Sequence, residues 1–142
     1  MAAKKKVINL AMVGCGGMAG AHLNGYQELL QRGEKRFRIV AAVDAALDRA
    51  RGFAERIEGF AGWPVNTYAS VEQLLNSETD LDGADICSPH GLHHVLACEL
   101  LAGGVNVLVE KPMAINLPQC DDMVEAADKN GVKLMILSLI HI

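Results

Sequence analysis

The sequence predicts a doubly wound α/β fold, an open parallel sheet of strand order 3-2-1-4-5-6 with helices packed on both faces. Three observations carry that prediction. Apolar, β-rich runs alternate with amphipathic helical stretches along the 142-residue chain, the pattern of repeated βαβ units. A glycine-rich turn, Gly14-Cys15-Gly16-Gly17-Met18-Ala19, joins the first apolar run to the first helical stretch. An acidic residue, Asp44, closes the second run. Right-handed crossovers leave few windings of such a sheet, and the order implied is 3-2-1-4-5-6.

The elements follow in order. Val7 to Val13 is a nearly continuous apolar run, as a strand covered on both faces requires. Gly17 to Arg32 reads as a helix, with Ala19, Leu23, Tyr26 and Leu30 on one stripe and Gly33 as its stop. Arg38 to Val43 is the second strand. Ala46 to Glu58 is the second helix, with Leu47, Ala50, Phe53 and Ile57 on one face, and Gly59 to Pro64 is the loop after it. Val65 to Tyr68 is a short third strand. Ser70 caps a short helix, Val71 to Asn76, and Ala84 to Cys87 is the fourth strand. Leu92 to Ala102 is helical and ends at Gly103-Gly104; Val105 to Val109 is the fifth strand. Asn116 caps a helix running to Lys129, with Pro118 in its first turn and Asn130-Gly131 at its end. Val132 to Leu137 is the sixth strand.

Composition narrows the function. Hydrophobic residues make up 51% and charged ones 21%, which excludes a disordered chain. The net charge of −4 and the 4% aromatic content argue against a nucleic-acid partner and against an anionic membrane surface. No apolar run reaches the roughly 18 residues of a membrane span. Four cysteines without a C-x-x-C pair point to a reducing, cytoplasmic compartment. Lys4-Lys5-Lys6 before Val7–Val13 and Gly14-Cys15 imitates a lipoprotein signal, but Asn9 interrupts the apolar stretch and a structured loop and helix follow.

The glycine turn has the form G-x-G-x-x-G/A in its confirming place, between a strand and a helix. Gly14 permits the tight turn. Gly16, without a Cβ, lets a pyrophosphate approach the backbone. Ala19 is small enough for the helix to lie against the strand. Gly17 and Met18 complete the loop, whose N–H groups and helix dipole favour an anion. Asp44 would accept hydrogen bonds from both ribose hydroxyls and repel a 2′-phosphate. No basic residue follows it at once and Arg49 is a turn away, so NAD is favoured over NADP. Together these make a Rossmann dinucleotide site. Glu110-Lys111-Pro112 follows the fifth strand, where ligands of open sheets sit, and a cis bond before Pro112 is plausible at such a site.

Taken together, Val13-Gly14-Cys15-Gly16-Gly17-Met18 with His22, Asp44, Ser88-Pro89 with His93, and Glu110-Lys111-Pro112-Met113-Ala114 resemble the Gfo/Idh/MocA oxidoreductases (glucose-fructose oxidoreductase, inositol dehydrogenase, rhizopine catabolism). The resemblance implies an NAD(P)-binding domain ahead of a second domain, absent here, that supplies the substrate pocket and most contacts of a homo-oligomer. It implies a sugar, inositol or similar polyol as substrate. By the same resemblance Lys111 is the catalytic-site lysine and Glu110 orients it. Ser88 and Pro89 line the cofactor's path, with His93 near the same crevice. The family often has Asn where this chain has His90, and often a basic residue at Gly20. Its second-domain acid/base pair has no counterpart in this sequence.

Other residues read more plainly. His90, His93 and His94 form H-x-x-H-H, but no Cys or carboxylate is spaced to complete a zinc set, so no metal is expected. Cys15, near a helix N-terminus, could have a lowered thiol pKa, although a small residue filling a turn explains it as well. Leu137-Ser138-Leu139-Ile140-His141-Ile142 equals a translated transposon-end library adapter. Residues 1–136 are therefore expected to be the domain and 137–142 a non-native tail. As it stands the chain is expected to bind cofactor without turnover. Two alternatives stay open: a catalytically silent NAD-binding or sensing module, and another Rossmann reductase of the biliverdin or imine reductase type.

Overall fold

The computed structural model describes residues 6–138. Six strands, β1 (Ile8–Val13), β2 (Phe37–Val43), β3 (Asn66–Tyr68), β4 (Gly83–Ile86), β5 (Asn106–Glu110) and β6 (Leu134–Leu137), form one sheet in the order β3-β2-β1-β4-β5-β6. Every neighbouring pair is parallel. The helices are α1 (Gly17–Gln31), α2 (Leu47–Ala61), α3 (Val71–Ser77), α4 (His93–Ala102) and α5 (Leu117–Asn130), with a 3₁₀ turn, His90–Leu92, ahead of α4. The predicted fold class and strand order are those observed.

The strand sequences show why two layers of helix are needed. Ala11 and Val13 of β1, with Ala41 and Val43 of β2, bury into a core built with α3, α4 and α5. Met12 and Ala42, the alternate residues, bury into a second core with α1 and α2. Both faces are apolar, as a parallel sheet flanked by crossover helices demands.

The helix ends obey local chemistry. Ser70 Oγ accepts the Gln73 N–H at 3.2 Å and Asn116 Oδ1 accepts the Gln119 N–H at 3.0 Å, the two caps read from the sequence. One boundary moves. Helix α2 does not stop at Glu58 but runs to Ala61, and its stop is Gly62 at φ +80°, whose N–H bonds to the Glu58 carbonyl. Phe60 and Ala61 pack on the core, which outweighs the weak helix preference of Gly59. Two other boundaries bear on the site. Glu110, expected to follow the fifth strand, is its last residue and pairs with Leu137. Leu137 itself, assigned above to the tail as well as to the sixth strand, ends β6; residues 139–142 of the expected tail lie outside the described residues.

Candidate functional site

The carboxyl ends of β1, β2, β4 and β5 converge on one edge of the sheet. β1 and β4 are adjacent, and the order reverses between them, so a crevice opens where their loops part. Gly14 sits at the narrowest point. Its φ is +89°, and a Cβ there would lie 2.7 Å from the Ser88 nitrogen and 2.9 Å from the Cys87 carbonyl carbon. Only glycine lets the loop after β1 lie flat on the loop after β4.

Gly16 and Gly17 have the opposite surroundings: an added Cβ would meet nothing within 4 Å. Helix α1 begins on Gly16 with no side-chain cap, and its first backbone bond runs from the Gly20 N–H to the Gly16 carbonyl at 3.1 Å. The first-turn N–H groups therefore face an open cradle rather than a side chain. Ala19 is fully buried against the core. Met18 is exposed beside the crevice.

Asp44 lies just beyond β2. Its Oδ2 accepts the Cys15 N–H at 3.0 Å and its Oδ1 accepts the Ala46 N–H at 2.9 Å. The carboxylate thus braces the glycine turn, a role the sequence did not reveal. Arg49 Nη1 lies 3.5 Å from the same Oδ2. A cleft of about 330 Å³ opens here, walled by Gly14, Asp44, Arg49, Ser70 and Pro89. A smaller one of about 80 Å³ lies on the other side, between Met18, Cys87, His90, Glu110 and Lys111. Ser88 lines both, so the two clefts meet at the loop after β4.

Beneath the smaller cleft lies a buried polar network. His22 Nδ1 is 2.8 Å from Asp85 Oδ2, and His22 Nε2 is 2.8 Å from Glu110 Oε1. Tyr26 donates to Asp85 at 2.9 Å, and Glu110 Oε2 accepts the Lys111 N–H at 3.0 Å. Asp85 and Glu110 are buried, at 2% and 6% exposure. The hydrogen bond to Asp85 raises His22 against the cost of burial, and Glu110 adds to it; the result is about 9. Burial first, and then Asp85, hold the Tyr26 hydroxyl and the Cys87 thiol well above their ordinary ranges. Cys15 is pushed up to about 12 by burial and by Asp44, so its thiol is not activated by the nearby helix. The thiol fills a turn and contacts the Val43 carbonyl.

The Lys111–Pro112 peptide is cis. Lys111 carries its side chain exposed at the cleft, and its N–H also reaches the Leu137 carbonyl at 3.2 Å. Glu110 therefore holds the lysine's backbone. His93 does not face the crevice. It is fully buried, with Nδ1 2.7 Å from the Pro112 carbonyl and Nε2 3.0 Å from the Ser88 carbonyl. Its ring ties the loop after β4 to the loop after β5. The three histidines of H-x-x-H-H do not converge: His90 lies edge-on to His93, and His94 pairs with Asp122 on the surface. Among the described residues, the donor group compact enough for a metal is instead His22, Asp85 and Cys87, all within 4.8 Å of one another.

Asp85 and Tyr26 were missed as site residues, and His22 was noted without a role. A signal existed. A lone aspartate inside the apolar strand Ala84-Asp85-Ile86-Cys87 needs a buried partner, and His22 and Tyr26 are one helical turn apart.

Residues 8–138 match the model of an oxidoreductase family with an NAD-binding Rossmann fold. The chain is 30% identical over 99 residues to scyllo-inositol 2-dehydrogenase (NADP(+)) of Bacillus subtilis, covering 70% of this chain and 28% of that protein. It is 30% identical over 128 residues to D-apiose dehydrogenase of Paraburkholderia graminis, covering 89% and 31%. Among solved structures, the WlbA dehydrogenase of Chromobacterium violaceum, in complex with NADH and UDP-GlcNAcA, superposes with a TM-score of 0.77 at 28% identity, over 94% of this chain and 35% of that one. The chain spans about a third of the length of these relatives. Among the described residues no helix is long and apolar enough to cross a membrane.

Proposed function

Because the chain belongs to the Gfo/Idh/MocA oxidoreductases, whose family model has an NAD-binding Rossmann fold, we propose that it binds NAD along the carboxyl edge of its sheet. In this reading it is the cofactor-binding half of a dehydrogenase acting on a CH–OH group of a sugar, inositol or similar polyol. The observation that carries the reading is the open cradle at Gly16 and Gly17 above an uncapped helix start, next to a carboxylate at the end of β2. Those residues fit a pyrophosphate and a ribose diol.

Each residue then has a task. Gly16, Gly17 and Met18 offer backbone N–H groups to the pyrophosphate. Asp44 accepts from the ribose hydroxyls on the free side of its carboxylate. Ser88 and Pro89 floor the path between the two clefts. Glu110 holds Lys111, and His93 holds Pro112 and Ser88. The bound nicotinamide would supply hydride chemistry; the chain supplies position. The exposure of Lys111 at the smaller cleft supports a role for its ammonium in holding the alkoxide that forms from a substrate hydroxyl. The coverage of about a third of each relative supports a substrate pocket on a second domain.

A second cofactor has one observation in its favour. Arg49, beside Asp44, reaches the position where a 2′-phosphate would lie, and one relative carries NADP(+) in its name. Fluorescence titration with NADH and NADPH tests the reading. Saturable NADH binding that is weakened in Gly16→Val supports it; absence of binding to either cofactor ends it. Joined to a substrate domain, Lys111→Ala should lose most of the turnover and keep much of the cofactor affinity.

A further inference from the structure

We propose that His22 is a positioning residue for the nicotinamide end of the site: donating from both ring nitrogens, it ties Asp85 on β4 to Glu110 on β5 and so fixes the strand end that presents Lys111. The inference deepens the cofactor-binding reading and rests on it.

The geometry leaves the ring little choice. Both nitrogens lie 2.8 Å from a carboxylate oxygen, and the two carboxylates belong to different strands. A neutral imidazole donates from one nitrogen only, and would present a lone pair to the other carboxylate. The imidazolium satisfies both. The groups facing the ring agree. Asp85 and Cys87 face it from β4 and the loop after it, Glu110 from β5, and Tyr26, one turn along α1, donates its hydroxyl to Asp85. Among the described residues, no lysine or arginine side chain is hydrogen-bonded to either carboxylate. The ring bridges the two strand ends through these two 2.8 Å contacts.

The consequence runs through Glu110. One of its oxygens is held by His22 and the other holds the Lys111 N–H. When the ring loses its proton to solvent, one carboxylate loses its donor. Two buried carboxylates then face each other across a neutral ring, and the Lys111 strand end loosens. The pyrophosphate cradle at Gly16 is held by other bonds and is not touched.

The test uses the 142-residue chain with NADH and ADP-ribose, which shares the pyrophosphate but lacks the nicotinamide. Nitrogen-15 spectra of the unmodified protein should show both His22 ring nitrogens protonated at pH 7.5, titrating near pH 9. His22→Gln should weaken NADH about tenfold, the loss of one charge-assisted hydrogen bond. It should leave ADP-ribose unchanged, and His22→Lys should restore part of the NADH affinity. A His22 ring neutral at pH 7.5, or equal losses for NADH and ADP-ribose, overturns the clamp. So does a zinc ion retained through purification and lost in Cys87→Ser, because the metal would then occupy the His22 nitrogen. If neither nucleotide binds, the cofactor reading falls, and the ring titration still decides the clamp.

Discussion

Raising the pH from 6.5 to 8.5 should unfold this protein more easily, and His22 should be the reason. An ordinary histidine titrates at 6.5, and in the folded chain His22 titrates at about 9. The folded state therefore holds its proton more tightly than the unfolded state. Stability from this group is complete below 6.5 and is lost as pH rises through 9. At about 1.4 kcal/mol per pH unit the whole linkage is about 3 kcal/mol. Roughly 2 kcal/mol of it disappears between pH 6.5 and 8.5. The ring is 10% exposed but lines an open pocket, so solvent screening lowers that figure, and it stands as an upper value. Above 8.5 a second process intrudes: the Cys15 and Cys87 thiols, held neutral by burial, ionise more readily in the unfolded chain. The assay is urea unfolding by circular dichroism at pH 6.5, 7.5 and 8.5, for the wild type and His22→Gln. The difference between their slopes cancels the other histidines. The wild type should lose stability across the window, and the variant should lose distinctly less. Equal slopes would refute the reasoning, because the carboxylates would then not be holding a proton on His22.

Gly14→Ala should cost at least about 2 kcal/mol in urea unfolding, from its positive φ and its contact with Ser88. Gly16→Ala, with nothing near its Cβ, should leave stability almost unchanged and weaken NADH in a fluorescence titration. Asp44→Ala should weaken NADH more than NADPH; Arg49→Ala should do the reverse, and unchanged selectivity in both would remove these residues from the ribose site. His93→Ala should destabilise by about 2–4 kcal/mol, since it leaves a cavity and removes the ring that bridges the Pro112 and Ser88 carbonyls. Its NADH affinity should fall too if the loops it ties form the site.

The legible part of this protein was local. Strand order follows from the alternation of apolar runs and helices, because right-handed crossovers admit few windings. Gly14, Gly16 and Asp44 could be placed because a strand–turn–helix puts them at the sheet edge whatever the rest of the chain does. Ser70 and Asn116 were found as caps because a cap bonds within three residues. Even here Gly59 misled, since its helix-breaking tendency is small beside the burial of Phe60 and Ala61.

What the sequence by itself determined was therefore the fold, the glycine turn at the sheet edge, and the family, read from motifs that are each short and local although they are spread along the chain. What only the tertiary structure decided was the partnership of distant side chains. His22 and Glu110 are 88 residues apart, and nothing in their spacing says that they meet at 2.8 Å. His93 looked like a wall of the crevice and is instead its buried fastening. A buried polar group must find its partners wherever packing brings them, so their identity is fixed only once the sheet closes and water is gone.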